Sequence, residues 1–172
     1  DQVAAFTTTQ ITALTTKQVV ALTTDQAAVL TTAQAASLTT AQIVAIETDD
    51  LQVMTTAQLV ALTTAQMPTL TTAQVVALTS DQVSSLKTAQ LASLSTAQIA
   101  VIETDDLVTL STAQIRGLTT AQVASLTTDQ LVSMGTDQVA AFTTAQITAL
   151  TTKQVVALTT DQVSSLTTAQ IA

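Results

Sequence analysis

Apolar and polar positions alternate along this chain with a period of eight residues. In Thr71-Thr72-Ala73-Gln74-Val75-Val76-Ala77-Leu78 two hydroxyl residues open the word, a variable residue and a glutamine follow, and an aliphatic stretch closes on leucine. Twenty complete copies run from Thr7 to Leu166 without a slip of register, with partial copies at Asp1–Phe6 and Thr167–Ala172. A short fixed period of this kind is the signature of a solenoid or array. One continuous helix is excluded by arithmetic, since eight residues at about 100° each would rotate the apolar stripe by roughly 80° per octad.

The pattern predicts an all-α fold: a single-start solenoid, a superhelical rod, with one very short helix in every octad. Thr at position one and Gln at position four have the spacing of a capping box. Position two is Thr or Ser in every copy, while position one also admits Glu47, Lys87, Glu103 and Gly135, so the substitution pattern favours the second Thr as the cap. Positions five and eight share a helix face with position four, and that face is the expected core. Helices this short are unstable alone in water, so each must be held by its neighbours. Near-constant Gln at position four is read as a cap and as a ladder between coils, because a buried amide must be satisfied. Pro68, at position six, is expected to kink or truncate its helix. A β-solenoid is the alternative: Thr, Val and Ile favour strands. Against it, each coil would need turns, and the chain has no Asn and two Gly.

Longer repeats constrain the arrangement further. The variant Glu47–Met54 returns seven octads later as Glu103–Leu110, and residues 137–166 match 1–30 at all but four positions, an offset of 17 octads. Both offsets are odd, so every octad is expected to occupy an equivalent place. No linker or change of composition marks a boundary, and residues 1–172 read as one continuous array. The chain starts at Asp1 in mid-octad, which suggests a fragment of a longer protein.

Composition narrows what the array can do. Aromatic residues are 1% of the 172, and His, Cys, Trp and Tyr are absent, while Thr occurs 40 times. This leaves neither the usual metal ligands nor a nucleophile–base pair, and no catalytic residue and no cofactor are expected. Net charge is −8, and the four basic residues Lys17, Lys87, Arg116 and Lys153 are scattered, so nucleic acid is not an expected partner. Mean hydropathy is +0.48, but polar residues interrupt every apolar run before the roughly 18 residues a membrane span requires. One acidic constellation stands out, Glu47, Asp49 and Asp50, copied at Glu103, Asp105 and Asp106. Its sharp reading is a weak calcium site; its simpler and preferred reading is an altered helix start with a negative first turn. The spaced Asp/Asn and Gly pattern of a calcium loop is missing.

Two resemblances rest on these residues. Leu14-Thr15-Thr16-Lys17-Gln18-Val19-Val20-Ala21-Leu22 resembles the opening helix of TAL-effector repeats, which implies a helix beginning after a capping Thr; their longer period and basic surface are missing. Over its whole length the tandem Leu-Thr-Thr-Ala-Gln-Val-x-Ala pattern with interspersed Glu-Thr-Asp-Asp-Leu looks like the octapeptide arrays of very large secreted or surface proteins of Gram-negative bacteria. The expectation is a structural repeat rod outside the cell or on its surface: a stalk, adhesin spacer or filament subunit without catalytic activity, associating with itself end to end or laterally and taking no small-molecule ligand. The alternative is a binding module that presents arrayed Thr to ice or carbohydrate.

Overall fold

The local chemistry of the octad produces a helix of four to six residues, with the exception of the Pro68 octad among the complete copies, begun in most by a capped first position and ended by an extended eighth. The structure, a computed structural model, describes residues 2–171, and among them it is helical throughout with no strand. The expectation of one short helix per octad is met, and the strand-based alternative is not. Thr40–Ala45 is representative: Ile43 N–H donates to Thr39 O at 2.9 Å, and Ile46 N–H to Ile43 O at 3.3 Å. Leu38 (φ −55°, ψ 134°) and Thr39 (φ −71°, ψ 160°) form the extended two-residue link that leads into it. No described residue has a positive φ. Turning by an extended dipeptide therefore requires neither Gly nor Asn, which accounts for their scarcity.

Contacts group the chain into two units, Asp1–Leu86 and Lys87–Ala172, each built by the same rule. In the first, Thr8–Thr12 packs on Thr32–Ser37, Thr24–Ala28 on Thr48–Val53, and Thr32–Ser37 on Thr56–Ala61. In the second, Thr96–Ala100 packs on Thr120–Ser125 and Thr136–Ala140 on Thr160–Ser165. Each helix meets the one three octads away, while its glutamine, as shown below, bonds to the octad four before it. A coil therefore closes after more than three octads and fewer than four. A non-integral count leaves no octad in a privileged layer, in agreement with the odd offsets of the long repeats.

The core is a column of identical small increments. Position five (Ile43, Leu51, Leu59, Val75; Leu91, Ile115, Val123, Leu131) and position eight (Leu38, Met54, Leu62; Leu94, Leu118, Met134) are buried, and position four is buried with them. Position six points outward, as Val44, Val76 and Val132 show. A fully buried aliphatic side chain contributes about 1.5–3 kcal/mol. With two such residues in each octad, stability accumulates by repetition rather than in one cluster.

Pro68 behaves as its position requires. In its octad the α-helix is replaced by a turn and a 3-10 segment, Met67–Thr69, because proline cannot donate to Thr64 O. The surrounding bonds survive, with Thr69 N–H to Gln66 O at 3.0 Å and Leu70 N–H to Met67 O at 3.2 Å. Replacing Pro68 with Ala should extend this helix and raise stability by about 1 kcal/mol, one regained hydrogen bond offset by a looser unfolded chain. Urea unfolding with far-ultraviolet dichroism checks this; an unchanged midpoint would mean that the 3-10 turn is as good as the helix.

Candidate functional site

Thr at position one and the near-constant Gln at position four act together at the start of most helices. Thr71 Oγ1 accepts from Gln74 N–H at 3.1 Å, and Gln74 Oε1 accepts from Thr71 N–H at 2.8 Å. Thr119 and Gln122 repeat the pair at 3.1 and 2.8 Å. The cap is thus the first hydroxyl residue, not the second as the substitution pattern suggested. The reason is geometric: a glutamine reaching back to the cap N–H must stand three residues after it. Position one still varies because half of the box survives its loss. Gln90 Oε1 accepts from Lys87 N–H at 2.9 Å and Gln138 Oε1 from Gly135 N–H at 3.0 Å. The second residue is the first helical one, and its side chain is exposed in most copies. In one place it comes very close to position seven: a Cβ on Gly117 would collide with the methyl of Thr88. In another its hydroxyl bonds between octads, Thr144 Oγ1 donating to Ala169 O at 3.4 Å.

The other end of the glutamine amide makes the long-range bonds. Gln74 Nε2 donates to Ile43 O and Ile46 O, each at 2.8 Å, which lie 31 and 28 residues earlier. Gln42 does the same to Ile11 O and Leu14 O, both at 2.8 Å. In the second unit Gln130 bonds to Ile99 O and Ile102 O, and Gln154 to Val123 O and Leu126 O, at 2.7–2.9 Å. These carbonyls belong to the last turn of a helix and its exit: the first also accepts the N–H of position eight, as Ile43 O does from Ile46 at 3.3 Å, and the second lies beyond the helix. One amide therefore satisfies the start of its own helix and the end of another. Position seven adds a local bond where it carries a hydroxyl, as Ser37 Oγ to Gln34 O and Ser125 Oγ to Gln122 O.

The acidic octads depart from this scheme. Glu47 and Glu103 occupy cap positions without a side-chain cap bond, and Asp50 and Asp106 stand buried in the glutamine register. A carboxylate has no N–H to send to the carbonyls of Val19 and Leu22, which lie 31 and 28 residues before Asp50. Burial pushes the Asp50 carboxyl above the ordinary carboxylate range, and the charges of Glu47 and Asp49 push it further. Asp49 and Asp105 lie in the first turn, where a negative charge suits the helix dipole. Among the described residues no three acidic side chains converge in a way that could hold a metal ion. An open groove of about 520 Å³ runs past Val44, Glu47, Asp49, Thr71 and Gln74, but the Thr71 and Gln74 groups on its wall are already bonded to each other and to neighbouring backbone. No helix among the described residues is long and apolar enough to cross a membrane.

Equivalent coils joined laterally by one repeated amide define a helical solenoid of the structural or binding type. The chain belongs to the ALTTAQ repeat family, whose repeat matches residues 3–40, 43–80, 60–88, 99–136, 130–152 and 139–172. No curated protein and no solved structure matches it.

Proposed function

We propose that this array is a non-catalytic structural element, a stalk or spacer in a protein that is secreted or displayed on the cell surface. One observation carries the reading: the recurring glutamine and the cap hydroxyl at position one are spent on holding the array together, while the position-two hydroxyl stays exposed in most copies. The cap hydroxyl and the glutamine satisfy backbone groups of their own helix and of a helix four octads away. A spacer needs a unit that can be repeated without limit and that fits the same slot each time, and the octad has both properties. Low charge density, with 9% charged residues, and the resemblance to arrays of large bacterial surface proteins support the location. The test is protease treatment of intact cells that make the protein, followed with antibody against the array. Loss of the epitope from unpermeabilised cells is expected; an epitope that resists until the cells are broken would end the surface reading.

A further inference from the structure

We propose that the acidic octad Glu47–Met54 is a calcium site. The ion takes the place that the glutamine amide nitrogen has in neighbouring octads, held by the Asp50 carboxylate and the main-chain oxygens of Val19 and Leu22. An altered helix start accounts for Glu47 and Asp49, which are exposed. It does not account for Asp50, which is 3% exposed.

The octads on either side show what Asp50 replaces. Gln42 Nε2 donates to Ile11 O and Leu14 O, and Gln58 Nε2 to Ala27 O and Leu30 O. In the same register the intervening carbonyls, those of Val19 and Leu22, fall to Asp50. Val19 O keeps the N–H of Leu22 at 3.1 Å, whereas Leu22 O accepts no hydrogen bond among the described residues. The Asp50 carboxylate accepts none either, and no basic side chain among the described residues pairs with it, with Glu47 or with Asp49. Exchanging the amide for a carboxylate therefore leaves only acceptors around a point where N–H donors stood. The aspartate chain is also shorter by one methylene, so its oxygens end short of that point. Oxygens facing one another across such a gap are what a hard cation binds. A water bridging them would leave the like charges of Glu47, Asp49 and Asp50 in one turn uncompensated, and a divalent ion offsets them.

Both faces of the site are octads of this chain, Thr15–Leu22 and Glu47–Met54, and the ion has a way in. Among the described residues no fully buried side-chain oxygen lacks a partner, so the unbonded oxygens of Asp50 keep some contact with solvent. The open groove has Val20 on one wall and Glu47, Thr48 and Asp49 on another, which sets the exit of the helix Thr16–Val20 beside the start of the acidic one. Calcium takes about six to eight oxygens, and water from the groove supplies those that the protein does not. One carboxylate with two carbonyls suffices, in keeping with the absence of a three-carboxylate cluster among the described residues. The site goes beyond the spacer role and is independent of where the protein is displayed.

Equilibrium dialysis of the whole chain with radioactive calcium tests the site. The variant D106Q removes the corresponding residue of the second acidic octad and serves as the reference; D50Q/D106Q removes both. Because D50Q restores a donor in the glutamine register, loss of binding cannot be loss of the fold. D106Q is expected to bind one calcium ion with a dissociation constant of about 0.1–1 mM, and D50Q/D106Q none in that range. Calcium at about ten times the dissociation constant should favour folded D106Q about tenfold, read as a raised urea midpoint, and leave D50Q/D106Q unmoved. Carbon-13 resonances of the Val19 and Leu22 carbonyls should shift with calcium in D106Q, while those of Ile43 and Ile46, which Gln74 holds, stay in place. Equal binding by the two variants would mean diffuse attraction to a chain of net charge −8 and would overturn the site. So would the absence of binding by D106Q, or shifts confined to the side chains of Glu47 and Asp49.

Discussion

Replacing Gln74 with alanine is expected to destabilise its coil by about 3–5 kcal/mol. Gln74 is 2% exposed and makes three bonds: it accepts from Thr71 N–H and donates to Ile43 O and Ile46 O. Truncation removes the Gln74 partner of Thr71 N–H and Ile46 O and leaves Ile43 O with the Ile46 N–H alone, and an unsatisfied buried group costs about 1–3 kcal/mol. The methylenes and the volume of the amide are lost as well. Gln10 provides the internal standard. It makes the same cap bonds to Thr7 but is exposed, so Gln10→Ala should cost only about 1 kcal/mol, the ordinary worth of a cap. In a repeat array a local loss can uncouple segments and end two-state unfolding. Native-state hydrogen exchange is therefore the better measurement, with protection falling first at the Thr71 N–H, the amide hydrogen that Gln74 holds. Equal losses at Gln74 and Gln10 would show that the lateral bonds contribute nothing beyond the cap.

Asp50→Gln is expected to act in the other direction, raising stability at neutral pH by about 1–3 kcal/mol through two restored hydrogen bonds to the earlier coil. The gain should depend on pH, and its sign follows from the carboxyl. Burial, with Glu47 and Asp49 adding to it, raises the Asp50 pKa above its ordinary value of 3.8. A group whose pKa is higher in the folded protein favours the fold most when protonated, below the unfolded value, and that contribution is lost as pH rises through the folded value. The advantage of glutamine should therefore be smallest in acid and widen toward neutrality. Urea midpoints of both proteins across this range give the answer. A gap that narrows as pH rises would contradict a raised pKa.

These residues also mark how far the sequence could be read. The period of eight, the helix in each octad and the burial of positions four, five and eight were legible because they follow from bonds and faces within a few residues. The substitution pattern pointed to the wrong Thr, because tolerance at position one reflects the redundancy of the box: Gln90 and Gln138 still hold the N–H of Lys87 and Gly135. Acidic residues at Glu47, Asp49 and Asp50 stood out as a cluster, but their separate roles did not. Only burial in the glutamine register distinguishes Asp50 from Asp49.

By itself, then, the sequence determined the unit: a capped helical segment too short to stand alone, presenting Gln74, Val75 and Leu78 on one side. It also determined that units are equivalent, through the odd offsets of its long repeats. Only the tertiary structure decided where the amide goes. The distance of 31 and 28 residues depends on how far each extended link turns the chain and how closely side chains at positions five and eight let coils approach. Those quantities are set by packing between octads and leave no mark in any one of them.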